Sequence, residues 1–215
     1  MARDWDERAD VLAAQAISQG VPTAWFDRLY AEGSSGVVGM PWDRTDPSPV
    51  LRQWAESQGL EGRGRRGVVV GCGLGADAEY LAALGFDTVA FDVAPTAVRV
   101  AQDRHPGSAV DYRVADLLDL PEEWLGAFDL VIEVYTVQAL PDPPRSDAVR
   151  GVRSLVAPGG TLFAVAFRSD GESDATTGPP FALSRGRMQS FEGDGLEAVE
   201  VTAVEDERWR AVFRR

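Results

Sequence analysis

The run Gly67-Val68-Val69-Val70-Gly71-Cys72-Gly73-Leu74-Gly75-Ala76-Asp77 leaves a chain few ways to fold. An apolar, β-branched strand passes into a glycine turn and at once into a helix. A second apolar run ends at Phe91-Asp92, placing an acid seventeen positions beyond Gly75. Strand, glycine turn, helix and strand-tip acid at this spacing make the nucleoside-binding half of a doubly wound sheet.

The remaining pattern extends that half into a whole sheet. Strands are expected at 68–71, 88–92, 110–114, 128–134 and 161–167, with helices at 77–84, 95–104 and 145–156 between them. Tight links and strict alternation argue parallel strands with helices on both faces. Segments 196–203 and 209–214 lie too close together for a crossover, so they are expected to pair as an antiparallel hairpin. The expectation is an α/β, Rossmann-like, mostly parallel sheet of seven strands closed by that hairpin. This layout resembles the class I S-adenosylmethionine methyltransferases. Ahead of it, helices are expected at 4–19, 23–32 and 50–58, with a Gly-, Ser- and Pro-rich loop at 33–49. Residues 1–215 thus read as one domain, with 1–60 an N-terminal helical arm or lid and 61–215 the core.

Composition removes several kinds of chemistry. One cysteine and one histidine, His105, leave no Cys-rich or His-based metal site and no Ser-His triad to expect. All 21 basic residues are arginine, so Schiff-base catalysis is out, and 34 acids leave a formal charge of −13. That balance repels phosphate backbones and anionic membranes, so neither nucleic acid nor a membrane is an expected partner. A small molecule is. The acidic start of the chain fits neither a secretory nor a transit peptide, and the cytoplasm is the expected location. The N-terminal helix fits either a cap on the site or a seam with a second copy, so monomer and homodimer stay open.

The cofactor is argued from the strand ends. Gly71-x-Gly73-x-x-Ala76 also satisfies the dinucleotide fingerprint, so a nicotinamide-dependent oxidoreductase is a competing reading, as is a non-catalytic S-adenosylmethionine-binding module. Three features favour S-adenosyl-L-methionine, with S-adenosyl-L-homocysteine as product: glycines at 71, 73 and 75, a second strand-tip acid at Asp116, and the hairpin. Asp92 can accept from two vicinal ribose hydroxyls, or serve as a turn acid before Ala94-Pro95. Asp116 can take an adenine amino group or cap the next segment. Asp77 suits a helix start and also the loop over the methionine part. Cys72 reads as a small turn residue. Val93, Leu117 and Glu133, beside these positions, complete the expected cofactor set.

A finer resemblance lies in Pro41-Trp42-Asp43, the Pro-Ser-Pro-Val-Leu stretch at 47–51, Gly-Cys-Gly-Leu-Gly-Ala-Asp at 71–77 and Gly178-Pro179-Pro180-Phe181. These resemble the thiopurine, thiol and halide methyltransferases over about residues 23–215. The stretch 133–140, Glu-Val-Tyr-Thr-Val-Gln-Ala-Leu, departs from the more apolar sequence of halide-methylating members. By this resemblance Trp42 lies over the methionine end, where a ring face attracts a sulfonium, unless it only anchors the arm. Trp42, Tyr135 and Phe181 become candidate substrate walls. Tyr135, Glu133 and Asp43 are the candidate bases, with Tyr135 and Glu133 carried as catalytic candidates. His105 is expected at the surface, away from the binding edge. With no evident base, a soft acceptor such as a thiol or halide is favoured, and an oxygen or nitrogen acceptor is the alternative.

Overall fold

The computed structural model describes residues 3–36, 42–171 and 174–215. Pro41, of the Pro-Trp-Asp stretch, lies outside the described residues. Seven strands form one sheet: β1 (Arg66–Val70), β2 (Asp87–Asp92), β3 (Asp111–Val114), β4 (Phe128–Val134), β5 (Val156–Phe167), β6 (Glu197–Val204) and β7 (Arg208–Arg214). Their order is β3-β2-β1-β4-β5-β7-β6. The pairings among β1 to β5 are parallel, whereas β7 runs antiparallel to both β5 and β6. The second strand of the hairpin, β7, therefore sits inside the sheet, and β6 takes the edge.

Helices α4 (Ala76–Ala83), α5 (Pro95–Arg104) and α6 (Arg145–Ser154) connect the parallel strands. Ahead of the sheet come α1 (Arg3–Ser18), α2 (Trp25–Ser34) and α3 (Pro49–Ser57), and α7 (Arg185–Gln189) precedes β6. The sequence reading had no counterpart for α7. Five residues offer too short a window for helical periodicity, and Ser184, whose hydroxyl accepts from the N–H of Arg187 at 3.1 Å, is its local signal.

Central strands are apolar on both faces because helices cover both. In β1, Val68 and Val70 pack into one layer with Phe91, Trp124 and Leu162, while Val69 packs into the other with Ile132 and Phe163. Trp54 of α3 stacks on Phe163 at 4.5 Å between ring centres, which fastens the arm to the sheet. Helices α1 and α2 bury Leu12, Ala13, Trp25 and Leu29 between themselves.

The boundary that departs most from expectation is the join of α6 to β5. The helix expected to run to 156 stops at Ser154, and β5 starts at Val156. The carbonyl of Leu155 accepts from the N–H of Phe128 at 3.1 Å, so the chain joins the sheet before Pro158-Gly159-Gly160. The register shift between Phe128 and Leu130 absorbs the irregular stretch.

Candidate functional site

A cavity of about 1490 Å³ opens at the carboxyl ends of the parallel strands. Beside β1, the strand order reverses, and open α/β sheets bind ligands at such a point. One half of the cavity is made by residues following β1, β2 and β3: Gly71, Cys72, Gly73, Asp92, Val93, Asp116 and Leu117. The other half lies at the ends of β4 and β5 and on the hairpin, with Tyr135, Thr136, Gln138, Phe167 and Arg208. Trp42, Phe26 and Tyr30 of the arm also line it.

Asp92 ends β2 as a buried carboxylate. Its Oδ2 accepts from the N–H of Gly73 at 3.0 Å and its Oδ1 from that of Ala94 at 2.9 Å. A carboxylate has about four acceptor positions, so two amides leave room for two hydroxyl donors. Burial pushes its pKa up to about 6, against the pull of those amides. Asp116 is half-buried, lines the cavity and accepts from the N–H of Leu118 at 2.9 Å in a local turn. Asp77 accepts from the N–H of Ser48 at 2.6 Å and lies 3.7 Å from the Arg44 guanidinium, so it joins the start of α4 to the arm. Burial raises its pKa. Cys72 is buried, and burial together with the nearby Asp92 charge pushes its thiol well up, which keeps it protonated.

The three glycines serve different ends. A Cβ on Gly71 (φ +59°) would meet the Thr136 hydroxyl at 2.4 Å, and one on Gly75 (φ +95°) would meet the Tyr112 hydroxyl at 2.4 Å. These two make room for the protein's own side chains, and Gly75 does not line the cavity. At Gly73 the nearest atoms are the Tyr30 hydroxyl and Trp42, both of the arm. Trp42 meets Tyr30 edge-on at 6.1 Å.

Three expected residues stand elsewhere. Glu133 is buried outside the cavity wall, and its Oε1 accepts from the N–H groups of Thr136 and Val137 at 2.7 and 3.0 Å. It caps the turn after β4, and burial raises its pKa to about 7. Phe181 packs under the Arg145 guanidinium at 4.8 Å, and its neighbours Pro179 and Pro180 line the cavity in its place. Asp43 forms a two-pronged pair with Arg104 at 2.5 and 2.9 Å, anchoring the arm on α5. His105, expected at the surface, is half-buried with its ring against the Gly75 turn, behind the cavity.

Tyr135 does reach the cavity, held there by a left-handed backbone (φ +63°). Its ring stacks on Phe167 with centres 5.0 Å apart and planes at 17°. Burial raises its pKa, opposed by the Arg208 and Arg44 charges. The sequence reading missed Tyr30, Arg44, Gln138, Phe167 and Arg208. Phe167 was readable as the tip of β5, but the others have no motif around them.

The sheet order, hairpin and cavity define the class I methyltransferase fold. Residues 68–160 match the family model described as a methyltransferase domain. A protein of Xanthomonas axonopodis pv. citri named ubiquinone biosynthesis O-methyltransferase is 37% identical over 131 residues, 57% of this chain and 54% of that protein. The chain spans about half the length of the curated relatives it matches. The structure of N-methyltransferase NodS from Bradyrhizobium japonicum WM9 with S-adenosyl-l-homocysteine aligns at a TM-score of 0.62 and 22% identity, over 83% of this chain and 93% of that one. A structure described as "Conversion of a Disulfide Bond into a Thioacetal Group during Echinomycin Biosynthesis" aligns at 0.73 and 23% identity, over 90% and 91%. At these identities both likenesses speak for the fold.

Proposed function

We propose that this chain is an S-adenosyl-L-methionine-dependent methyltransferase acting on a small molecule, with S-adenosyl-L-homocysteine as product. The observation that carries the reading is one cavity where the glycine turn after β1, buried Asp92 after β2 and Asp116 after β3 converge. The methyltransferase-domain match over 68–160 spans those same three features. When bound, the cofactor supplies a methyl group on an electron-poor sulfonium.

In this reading Asp92 holds the ribose hydroxyls and Asp116, with Val93 and Leu117, takes the adenine end. Gly71, Cys72 and Gly73 present backbone at the turn, while Asp77 and Trp42 close the methionine end. Tyr135 and Phe167 form a wall for the acceptor and exclude water from it. Residues 42–45 and 174–182 act as covers.

Glu133 keeps a structural role here, and Tyr135, with its raised pKa, stays protonated near neutral pH and acts as a hydrogen-bonding wall. The acceptor therefore arrives ionised or loses its proton to solvent. The relatives' name favours an oxygen acceptor over the thiol or halide that the finer resemblance implied.

The test is a thermal-shift comparison of the protein with S-adenosylmethionine, S-adenosylhomocysteine and NAD. Ligand at about 100 times its Kd stabilises by about 2.7 kcal/mol, roughly 5–11 °C for a chain of this length. A shift with the adenosyl compounds alone, lost in Asp92→Ala, is expected. A shift with NAD alone would sink the methyltransferase reading, and adenosyl binding without methyl transfer to any phenol, thiol or halide would leave a binding module.

A further inference from the structure

The cavity has two halves, and the half at β4, β5 and the hairpin holds a buried donor that the proposed cofactor contacts leave unused. Gln138, 1% exposed, lines this half. Its Oε1 accepts from the N–H of Phe167 at 2.6 Å, and its main-chain carbonyl accepts from the N–H of Phe181 at 2.8 Å. Because Oε1 is committed to an N–H, the amide has one orientation, and its NH2 group must face the other way. That Nε2 has no hydrogen-bond partner among the described residues. Buried amide donors without partners are uncommon and costly, and each asks for an explanation.

The surroundings narrow what would satisfy it. Gln138 is tied to Phe167, whose ring forms a flat stack with Tyr135, and to the loop carrying Pro179 and Pro180. Arg208 pairs with Asp206 at 2.8 Å through one terminal nitrogen while its buried Nε has no partner among the described residues, and Arg210 pairs with Glu200 at 2.6 Å. A neutral oxygen suits the Gln138 amide, an uncharged donor that supplies no charge of its own to offset a carboxylate.

We infer that Gln138 is a specificity-determining residue whose Nε2 donates to a carbonyl oxygen on a planar acceptor seated against Tyr135 and Phe167. This rests on the methyltransferase reading of the same cavity.

The test uses the whole chain saturated with S-adenosylhomocysteine, titrated calorimetrically with coumarin and with naphthalene, the same bicyclic outline without the carbonyl. Two variants separate donor from scaffold. Gln138→Glu keeps an oxygen for the Phe167 N–H and removes the donor, while Gln138→Met removes both. The coumarin-to-naphthalene affinity ratio is expected to fall about tenfold or more in each variant, with S-adenosylhomocysteine affinity unchanged. If Gln138→Met does not fold, Gln138→Glu decides. A ratio within about twofold of wild type in Gln138→Glu overturns the assignment, as does failure of both rings to bind wild type. Failure of S-adenosylhomocysteine itself to bind sinks the methyltransferase reading and this subsite with it; its binding without ring discrimination overturns the subsite alone.

Discussion

At pH 8 and without ligand, Asp92→Asn should be more stable than wild type, and at pH 4 it should be less stable. Burial raises the Asp92 pKa from 3.8 to about 6. The folded chain therefore holds a proton that the unfolded chain has released. The stability this represents is fully present below about pH 3.8, drains away between 3.8 and about 6, and is absent above. At about 1.36 kcal/mol per tenfold change in acidity, the loss is about 3 kcal/mol. Asparagine carries no charge and escapes it. Its NH2 group, however, turns toward one of the Gly73 and Ala94 N–H groups that the carboxylate satisfies, which costs about 1–1.5 kcal/mol. The net is a gain of about 1.5–2 kcal/mol at pH 8 and a loss of about 1–1.5 kcal/mol at pH 4. Urea unfolding of both proteins at pH 4, 6 and 8 reads the difference directly. A stability difference that is the same at pH 4 and pH 8 would refute the reasoning.

Glu133→Gln should behave in the same sense with a different window, since burial moves that carboxyl from 4.5 to about 7. Glutamine retains an oxygen for the Thr136 and Val137 N–H groups, but its NH2 replaces an Oε2 that is buried without a partner among the described residues, a cost of about 1–3 kcal/mol at every pH. Relative to wild type the variant should therefore gain about 3 kcal/mol between about pH 4.5 and pH 7, starting from that deficit; melts at pH 4.5 and 8 that shift equally would count against it. Gly71→Ala should lose about 2–3 kcal/mol, from a Cβ at 2.4 Å from the Thr136 hydroxyl and a φ of +59°. Adding Thr136→Ala should return the steric share but not the backbone share, and strictly additive losses in that double-mutant cycle would contradict the packing described.

How much of this was legible in the sequence depended on distance along the chain. The turn at 71–75 and the acids Asp92 and Asp116 each sit at the tip of a short apolar run, so local pattern sufficed to bring them to one edge. Gln138 and Phe167 meet because β4 pairs with β5, and Arg208 joins them only because β7 inserts between β5 and β6, an insertion that no spacing encodes. Glu133 stood at the right strand tip, but the left-handed turn at Tyr135 sends its carboxylate to the following amides. In the loop before α7 the cavity wall ends at Pro180, one residue short of Phe181, an offset that no local pattern marks. Asp43 had Arg44 beside it in sequence and found Arg104 instead, a partner 61 positions away.

Helix α5 begins at Pro95 behind Ala94, a residue with no side chain to cap it. The carboxylate that accepts from its Thr96 N–H, at 2.8 Å, is Asp27 of α2, and its last turn is gripped by Asp43 through Arg104. The first turn of a helix in the core is thus finished by a residue of the N-terminal arm, and its last turn is tied to that arm by an exposed ion pair. The boundary near residue 60 is a line along the chain but not a line of separation: a protein cut there would leave the start of α5 without its Asp27 acceptor, two residues from the amide that Asp92 holds. The core and its arm complete one another as a mortise completes a tenon, with Asp27 and Asp43 holding α5 while Trp42 lines the cavity beside the glycine turn.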